Sequence, residues 1–255
     1  MQGEFQPMAL GSAKAPFSHP DWLFELKYDG FRALAHIDGK RTQLVSRNGH
    51  PFASLSDLGH AIAAALPSQR AVLDGEIVCL DRKGRPQFKD LLFRRGVPCF
   101  FAFDLLYDGK DRRRDALVDR KLELRRMIGR FSRTSRLQYA DHIEDAGTEL
   151  FRHVCKLDLE GIVAKPKHSP YEREPARTSW YKIKNRSYSQ MVGRHELFER
   201  ERHLEPVPGW HSCTLVCPEA AHQLCLRTQT IPFPSRVVQT SQPVTGQTNF
   251  VTVAI

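Results

Sequence analysis

Apolar and polar positions alternate over residues 31–37 (Phe-Arg-Ala-Leu-Ala-His-Ile), and a second such run follows at 41–46. Asp38-Gly39 lies between them, and Asp-Gly flanked by two such runs is a strong signal for a hairpin. The apolar run 22–26 (Trp-Leu-Phe-Glu-Leu) ends at Lys27 and predicts a short strand. Residues 71–80, the Phe-rich stretch 99–106, 161–165 and 179–184 predict further strands, that at 99–106 buried. Leu55, Leu58, Ile62 and Leu66 recur at helical spacing and predict a helix over 55–66, stopped by Pro67. A short helix is predicted at 87–93. Residues 115–128 put Leu117, Leu124 and Ile128 on one face, with Arg120, Lys121 and Arg125 elsewhere, the pattern of an amphipathic helix. A last helix is predicted over 144–156, carrying Leu150, Phe151 and Val154. Hairpins mixed with isolated helices, without regular strand–helix alternation, give an α+β fold.

The 50 residues from 206 to 255 differ in kind. They hold six prolines, abundant Thr, Gln and Ser, and only Arg227, Arg236 and Glu219 as charges. This composition predicts a disordered or poorly formed tail after a folded unit of residues 1–205. Three of the six cysteines, Cys213, Cys217 and Cys225, lie there with His211 and His222. They have no paired short-spaced knuckle, so they read as part of an irregular tail rather than a zinc site. Cys79, Cys99 and Cys155 read as buried thiols. No run approaches the roughly 18–20 apolar residues of a membrane span, and residues 1–10 lack the layout of a secretory signal, so the expected location is cytoplasmic.

The chain carries 38 basic and 29 acidic residues, a formal charge of +9, and residues 1–205 account for +8 of it. A basic excess suits polyanions such as nucleic acid or nucleotide phosphates. Several short stretches could supply the chemistry. Lys27 ends a strand ahead of the tight turn Tyr28-Asp29-Gly30, so it would project from a rigid element as a nucleophile should; nearby cations and partial burial favour its neutral, attacking form. Ser46-Arg47-Asn48-Gly49 could bring a guanidinium to a phosphate or ribose. Asp74 and Glu76 lie two apart on one side of a strand and could hold a metal or a sugar hydroxyl. Phe103, beside Asp104, could stack on a base. Glu160 directly precedes an apolar strand and suits Mg²⁺. Lys182 and Lys184 share one face of a strand, with Tyr181 and Ile183 on the other, an arrangement that suits a phosphate.

In this order and at these separations, the motifs resemble those of the covalent nucleotidyltransferases, and most closely the ATP-dependent DNA ligases. The stretches His19-Pro20-Asp21-Trp22, Glu25-Leu26-Lys27-Tyr28-Asp29-Gly30 and Phe101-Ala102-Phe103-Asp104-Leu105-Leu106-Tyr107-Asp108-Gly109 are similar to the ligase module of bacterial end-joining ligases. The likeness covers about residues 5–200. It implies a nucleotidyltransferase (ATP-grasp-like) domain of mainly antiparallel sheets with flanking helices. It implies that Lys27 attacks ATP to form a lysyl-AMP, which passes to a 5′-phosphate before the strand is sealed. Glu25 would meet the adenine amino group and Phe103 would stack on the ring. Arg32 and Arg47 would hold ribose and phosphates, Glu76 the ribose or a metal, and Glu160 Mg²⁺. Lys182 and Lys184 would contact the α-phosphate, and Asp29 would serve the later steps on nicked or broken DNA.

Such ligases continue into an oligonucleotide-binding (OB-fold) barrel, whereas nothing after residue 206 has the alternating strands of one. The expectation is that the barrel is absent and that a partner protein supplies DNA clamping, with Arg112-Arg113-Arg114 and Arg125-Arg126 as basic patches for phosphates. Two other functions stand beside this one: a non-catalytic or partner-dependent nucleotide- or DNA-end-binding module, and an RNA ligase or capping-type guanylyltransferase.

Overall fold

The computed structural model describes residues 5–67, 69–129, 135–172, 178–192 and 194. Among the described residues, ten strands and four α-helices form two facing five-stranded sheets with helices on their outer faces. The first sheet has the order β1-β10-β9-β2-β8, from β1 (Gly11–Ser12), β2 (Trp22–Leu26), β8 (His142–Glu144), β9 (Gly161–Pro166) and β10 (Tyr181–Lys184). The second has the order β4-β3-β5-β6-β7, from β3 (Phe31–Asp38), β4 (Arg41–Ser46), β5 (Arg70–Cys79), β6 (Pro98–Tyr107) and β7 (Leu137–Tyr139). All pairings are antiparallel except β1 with β10 and β6 with β7. The second sheet is thus an insertion between β2 and β8 of the first.

Strand alternation builds the layers. On β3, Ala33, Ala35 and Ile37 point outward into a core shared with Leu58 and Ile62 of α1 (Ser56–Ala65) and Leu124 and Ile128 of α3 (Leu117–Ile128). Leu34 points inward, joining Leu23, Val72, Val163 and Trp180 between the sheets. Leu150 and Val154 of α4 (Gly147–Lys156) cover Phe24, Ile162 and Ile183 on the other outer face. The short α2 (Phe88–Leu92) packs against β5.

The predicted hairpin is present, with Gly39 at φ 61° in its turn. One predicted helix is corrected. Residues 142–144 are strand β8, and α4 begins only at Gly147. Asp145 lies between them at φ 64°, a left-handed conformation that no right-handed helix can contain. The thiols are corrected too: Cys79 is buried, Cys99 is partly open and Cys155 is exposed. The tail, with Cys213, Cys217 and Cys225, lies outside the described residues, as does the question of a barrel beyond it.

Candidate active site

The chain passes from the first sheet to the second through Lys27-Tyr28-Asp29-Gly30. Gly30 is needed there because a Cβ would sit 2.1 Å from the carbonyl oxygen of Ile77. Lys27 is fixed from behind by its backbone N–H, which donates to the Gly161 carbonyl at 2.9 Å. Gly161 in turn holds φ 153°, and a Cβ would lie 2.2 Å from the Ile183 carbonyl oxygen. These contacts place Glu160, the residue before β9, against the lysine: Lys27 Nζ donates to Glu160 Oε2 at 2.7 Å. The side chain of Asn185 donates to the Leu159 carbonyl, and its backbone N–H to that of Glu160, which holds this corner from β10.

A cleft, with about 390 Å³ of empty space counting the open solvent at its mouth, opens beside Lys27 between the two sheets. Its lining includes Glu25, Arg32, Glu76, Phe103, Val163, Lys165 and Trp180. Strand register explains the grouping. Glu25 pairs with Val163 and Leu23 with Lys165 across β2 and β9, while Arg32 pairs with Glu76 across β3 and β5. Phe103 arrives by a different route. Asp74 pairs with Asp104 and Gly75 with Ala102, so Phe103 is the extra residue of a bulge. A bulge re-aims a side chain, and here it leaves the ring facing the cavity.

The electrostatics are set by burial. Both Glu25 oxygens are engaged, Oε1 by Lys121 and Oε2 by Lys165, each at 2.7 Å. Burial alone would raise the Glu25 pKa, but the two ammonium groups outweigh it and hold the carboxyl below its usual range. Burial pushes Lys165 down to about 8 despite Glu25. Its ammonium also rests over the rings of Trp180 (3.9 Å) and Phe103 (4.3 Å). Arg32 makes a two-pronged pair with Asp74, at 3.1 and 2.7 Å, and lies 5.3 Å from the Phe103 centroid. Asp74 also accepts from Tyr171 Oη at 2.6 Å. Fully buried and so committed, Asp74 is a support for Arg32, not the metal or sugar ligand its spacing suggested. Burial, reinforced by Glu160 and Asp74, pushes Glu76 up to about 8 against the opposing pull of Lys27 and Arg32.

The other predicted residues stand around this centre. Burial and the charges of Lys184 and Lys27 lower the Lys182 pKa. Lys182 and Lys184 do not line the cavity, nor does Arg47, which is exposed yet close enough for its charge to reach Lys182. Asp29 is buried, its carboxylate accepting from Tyr188 Oη at 3.0 Å and paired with Arg194 at 2.7 Å. The basic patches are largely compensated: Arg112 pairs with Asp108 and Asp115, Arg113 with Asp111, Arg125 with Asp141, and Arg126 with Glu123.

Sequence reasoning missed Lys121, Val163, Lys165 and Trp180. Lys165 and Val163 do carry a signal, since they lie two apart on β9, both on the Glu25 side. Lys121 carries none; on α3 it looked like one more solvated cation, yet it is buried. Arg120 beside it is also fully buried, making a two-pronged pair with Asp104 at 2.8 Å per contact.

Two facing sheets with a cavity between them, and a lysine at a strand end beside it, define a nucleotidyltransferase-like fold of the kind ligases use. The chain belongs to the family described as the ATP-dependent DNA ligase domain, whose model matches residues 9–184. It is similar to the multifunctional non-homologous end joining protein LigD of Pseudomonas aeruginosa, 36% identical over 172 residues, which cover 64% of this chain and 20% of that protein. Among solved structures it resembles the ligase domain of M. tuberculosis LigD, with TM-score 0.62, 30% identity and coverage of 70% of this chain and 59% of that one. A mycobacterial DNA ligase D complexed with ATP and MES matches at TM-score 0.59 and 29% identity, covering 71% and 60%. The chain spans about a fifth to a quarter of the length of these curated relatives. No helix among the described residues is long and apolar enough to cross a membrane.

Proposed function

We propose that residues 1–205 act as the adenylation domain of an ATP-dependent DNA ligase. Lys27 Nζ attacks the α-phosphorus of ATP. The N–P bond forms as the bond to the pyrophosphate oxygen breaks, and the ammonium proton is given up first. Glu160, already hydrogen-bonded to Nζ, is placed to accept that proton. The adenine lies between Phe103 and Val163 with Glu25 at its amino group. Arg32 and Arg47 meet ribose and phosphates, and Lys182 and Lys184 face the α-phosphate, where fixed positive charge stabilises the transition state. AMP then passes to a 5′-phosphate of nicked or broken DNA, with Asp29 serving these later steps, and the neighbouring 3′-hydroxyl displaces it.

The residues fit Mg²⁺ in one respect: Glu76 is a half-buried carboxyl near Glu160 whose charge a divalent cation would restore. No group of three or more potential ligands exists among the described residues, so phosphate oxygens and water would complete a shell held by Glu76 and Glu160. When bound, the ion would neutralise phosphate charge. A DNA-clamping partner and a place at the bacterial nucleoid belong to the same reading.

The observation that carries it is the Lys27–Glu160 pair beside a cavity walled by Phe103 and Glu25. Intact-protein mass spectrometry after incubation with ATP and Mg²⁺, with and without nicked DNA, tests it. Wild-type protein should gain the mass of one AMP and lose it again on nicked DNA, while Lys27→Ala gains nothing. A wild-type protein that gains no AMP overturns the proposal.

A further inference from the structure

What Glu25 can do to a nucleobase depends on its protonation state. A carboxylate only accepts hydrogen bonds, whereas a carboxylic acid also donates one. Adenine presents an amino donor at the position where guanine carries a carbonyl acceptor. A Glu25 held as the anion therefore accepts from adenine and repels guanine. A protonated Glu25 loses that distinction, because its O–H can donate to the guanine carbonyl.

Burial works against the anion, so something must hold it. The two lysines on Glu25 are not equivalent. Lys165 lines the cavity, packs on two rings and is itself pushed down to about 8. Lys121 stands behind Glu25 and does not line the cavity. Its ammonium donates to Glu25 Oε1 at 2.7 Å, to the Ala140 carbonyl at 2.9 Å and to that of Phe103 at 3.4 Å, which uses all three of its protons. Glu25 outweighs burial and raises the Lys121 pKa, the opposite of the shift at Lys165. Glu25 Oε1 accepts a Lys121 proton and Oε2 is ion-paired with Lys165, and each oxygen keeps a lone pair for a ligand.

We infer that Lys121 is a positioning residue that sets base selectivity: by fixing Glu25 as an oriented anion, it makes the cavity take adenine nucleotides and refuse guanine nucleotides. The inference rests on the adenylation reading above. It assigns the choice of base to a helix residue that touches neither nucleotide nor nucleophile.

The test follows lysyl-nucleotide formation with ATP and with GTP from pH 6 to 7.5 in wild type, Lys121→Met and Lys121→Arg. Lys165, Asp104, Asp141, Tyr28, Tyr139 and His142 stand around the pair, and Lys27, Arg32 and Glu76 line the same cavity as Glu25. Burial, helped by Lys121, lowers His142 to about 4, and burial raises both phenols, so these three are neutral across the range in wild type. Lys165, relieved of a like charge in Lys121→Met, stays charged. Wild type should show an ATP-over-GTP ratio that does not change with pH. Lys121→Met should lose about ten-fold of that ratio, the worth of roughly one hydrogen bond, and lose more toward pH 6. Lys121→Arg should keep most of it. If ATP and GTP rates fall by one common factor at every pH, Lys121 is only structural and the inference is overturned; an unchanged ratio overturns it too. Should Lys121→Met fail to fold, Glu25→Gln tests the same point: its amide both donates and accepts, so the ratio should drop to a pH-independent value. If wild type forms no adduct at all, the adenylation reading fails, and calorimetric binding of ATP against GTP to wild type and Lys121→Arg still decides base selectivity.

Discussion

Lys27 Nζ and Glu160 Oε2 lie 2.7 Å apart although 133 residues separate them, because the Gly161 carbonyl holds the lysine backbone where β9 starts. The proposed nucleophilic amine needs a proton acceptor within hydrogen-bond reach, and among the described residues no other carboxylate bonds to it. Glu160→Gln should therefore slow lysyl-AMP formation about 10²-fold or more at pH 7 while leaving the melting temperature nearly unchanged, as read by quenched-flow labelling and calorimetry. A near-wild-type rate would remove Glu160 from the chemistry.

Phe103 has a packing role as well as the proposed stacking one, since its ring meets Trp180, Arg32 and Lys165. Phe103→Leu keeps apolar bulk and loses the flat face. It should raise the KM for ATP about ten-fold, with a stability loss of only about 1 kcal/mol. Phe103→Tyr should keep the wild-type KM. Equal KM values in Leu and Phe enzymes would show that the ring does not stack.

Glu76 links the site to stability. Its carboxyl keeps its proton up to about pH 8 in the folded chain but releases it near the ordinary 4.5 when unfolded. Between those values the folded state binds more protons, so its stability falls as pH rises through the window. Glu76→Gln mimics the protonated group. Because the side chain is partly open to the cleft, its gain should be held to about 1–2 kcal/mol at pH 8.5 and vanish at pH 4.5, measured by thermal unfolding. The same variant should lose adduct formation. A gain that is constant with pH would contradict the assignment.

Lys165 has the opposite sign. Its pKa is about 8 when folded and 10.5 when unfolded, so its contribution to stability rises with pH across that window. Lys165→Met should remove this rise, leaving an unfolding profile flatter between pH 8 and 10 than that of wild type.

Asp29 is held by Tyr188 and Arg194, which lie after β10. Tyr188→Phe should cost about 1 kcal/mol, leave lysyl-AMP formation within about three-fold of wild type, and reduce adenylate transfer to nicked DNA more strongly. Cutting the chain after residue 205 should leave adduct formation unchanged, because every site group named here precedes residue 195. A truncated protein without adduct formation would place the tail in the catalytic unit.

Much of the fold was legible because β3 and β4 flank an Asp-Gly turn with alternating positions, β5 and β6 are long and mostly apolar, and Pro67 marks where α1 must stop. The two-residue β1 and three-residue β7 and β8 carry too few positions for any period. At the site, Lys27 and Glu160 stood out because a charge at or beside an apolar strand end is conspicuous, Glu76 because it lies two positions from Asp74 on a strand, and Glu25 only through the family resemblance. Lys121 and Arg120 did not, because a cation on a helix is ordinary in sequence and only tertiary packing shows that its partners are Glu25 and Asp104. Asp74 misled for the converse reason: its partners Arg32 and Tyr171 lie 42 and 97 residues away.

The insertion of one sheet within the other has a mechanical consequence. Within the described residues, only two covalent links join the sheets, Lys27-Tyr28-Asp29-Gly30 and Ala140-Asp141, and Lys121 bridges them by bonding Glu25 at one and the Ala140 carbonyl at the other. Both links meet at Lys121, and the core of Leu23, Leu34, Val72, Val163 and Trp180 ties the sheets together beyond them, so the proposed nucleophile sits where the two sheets are joined both by the chain and by packing.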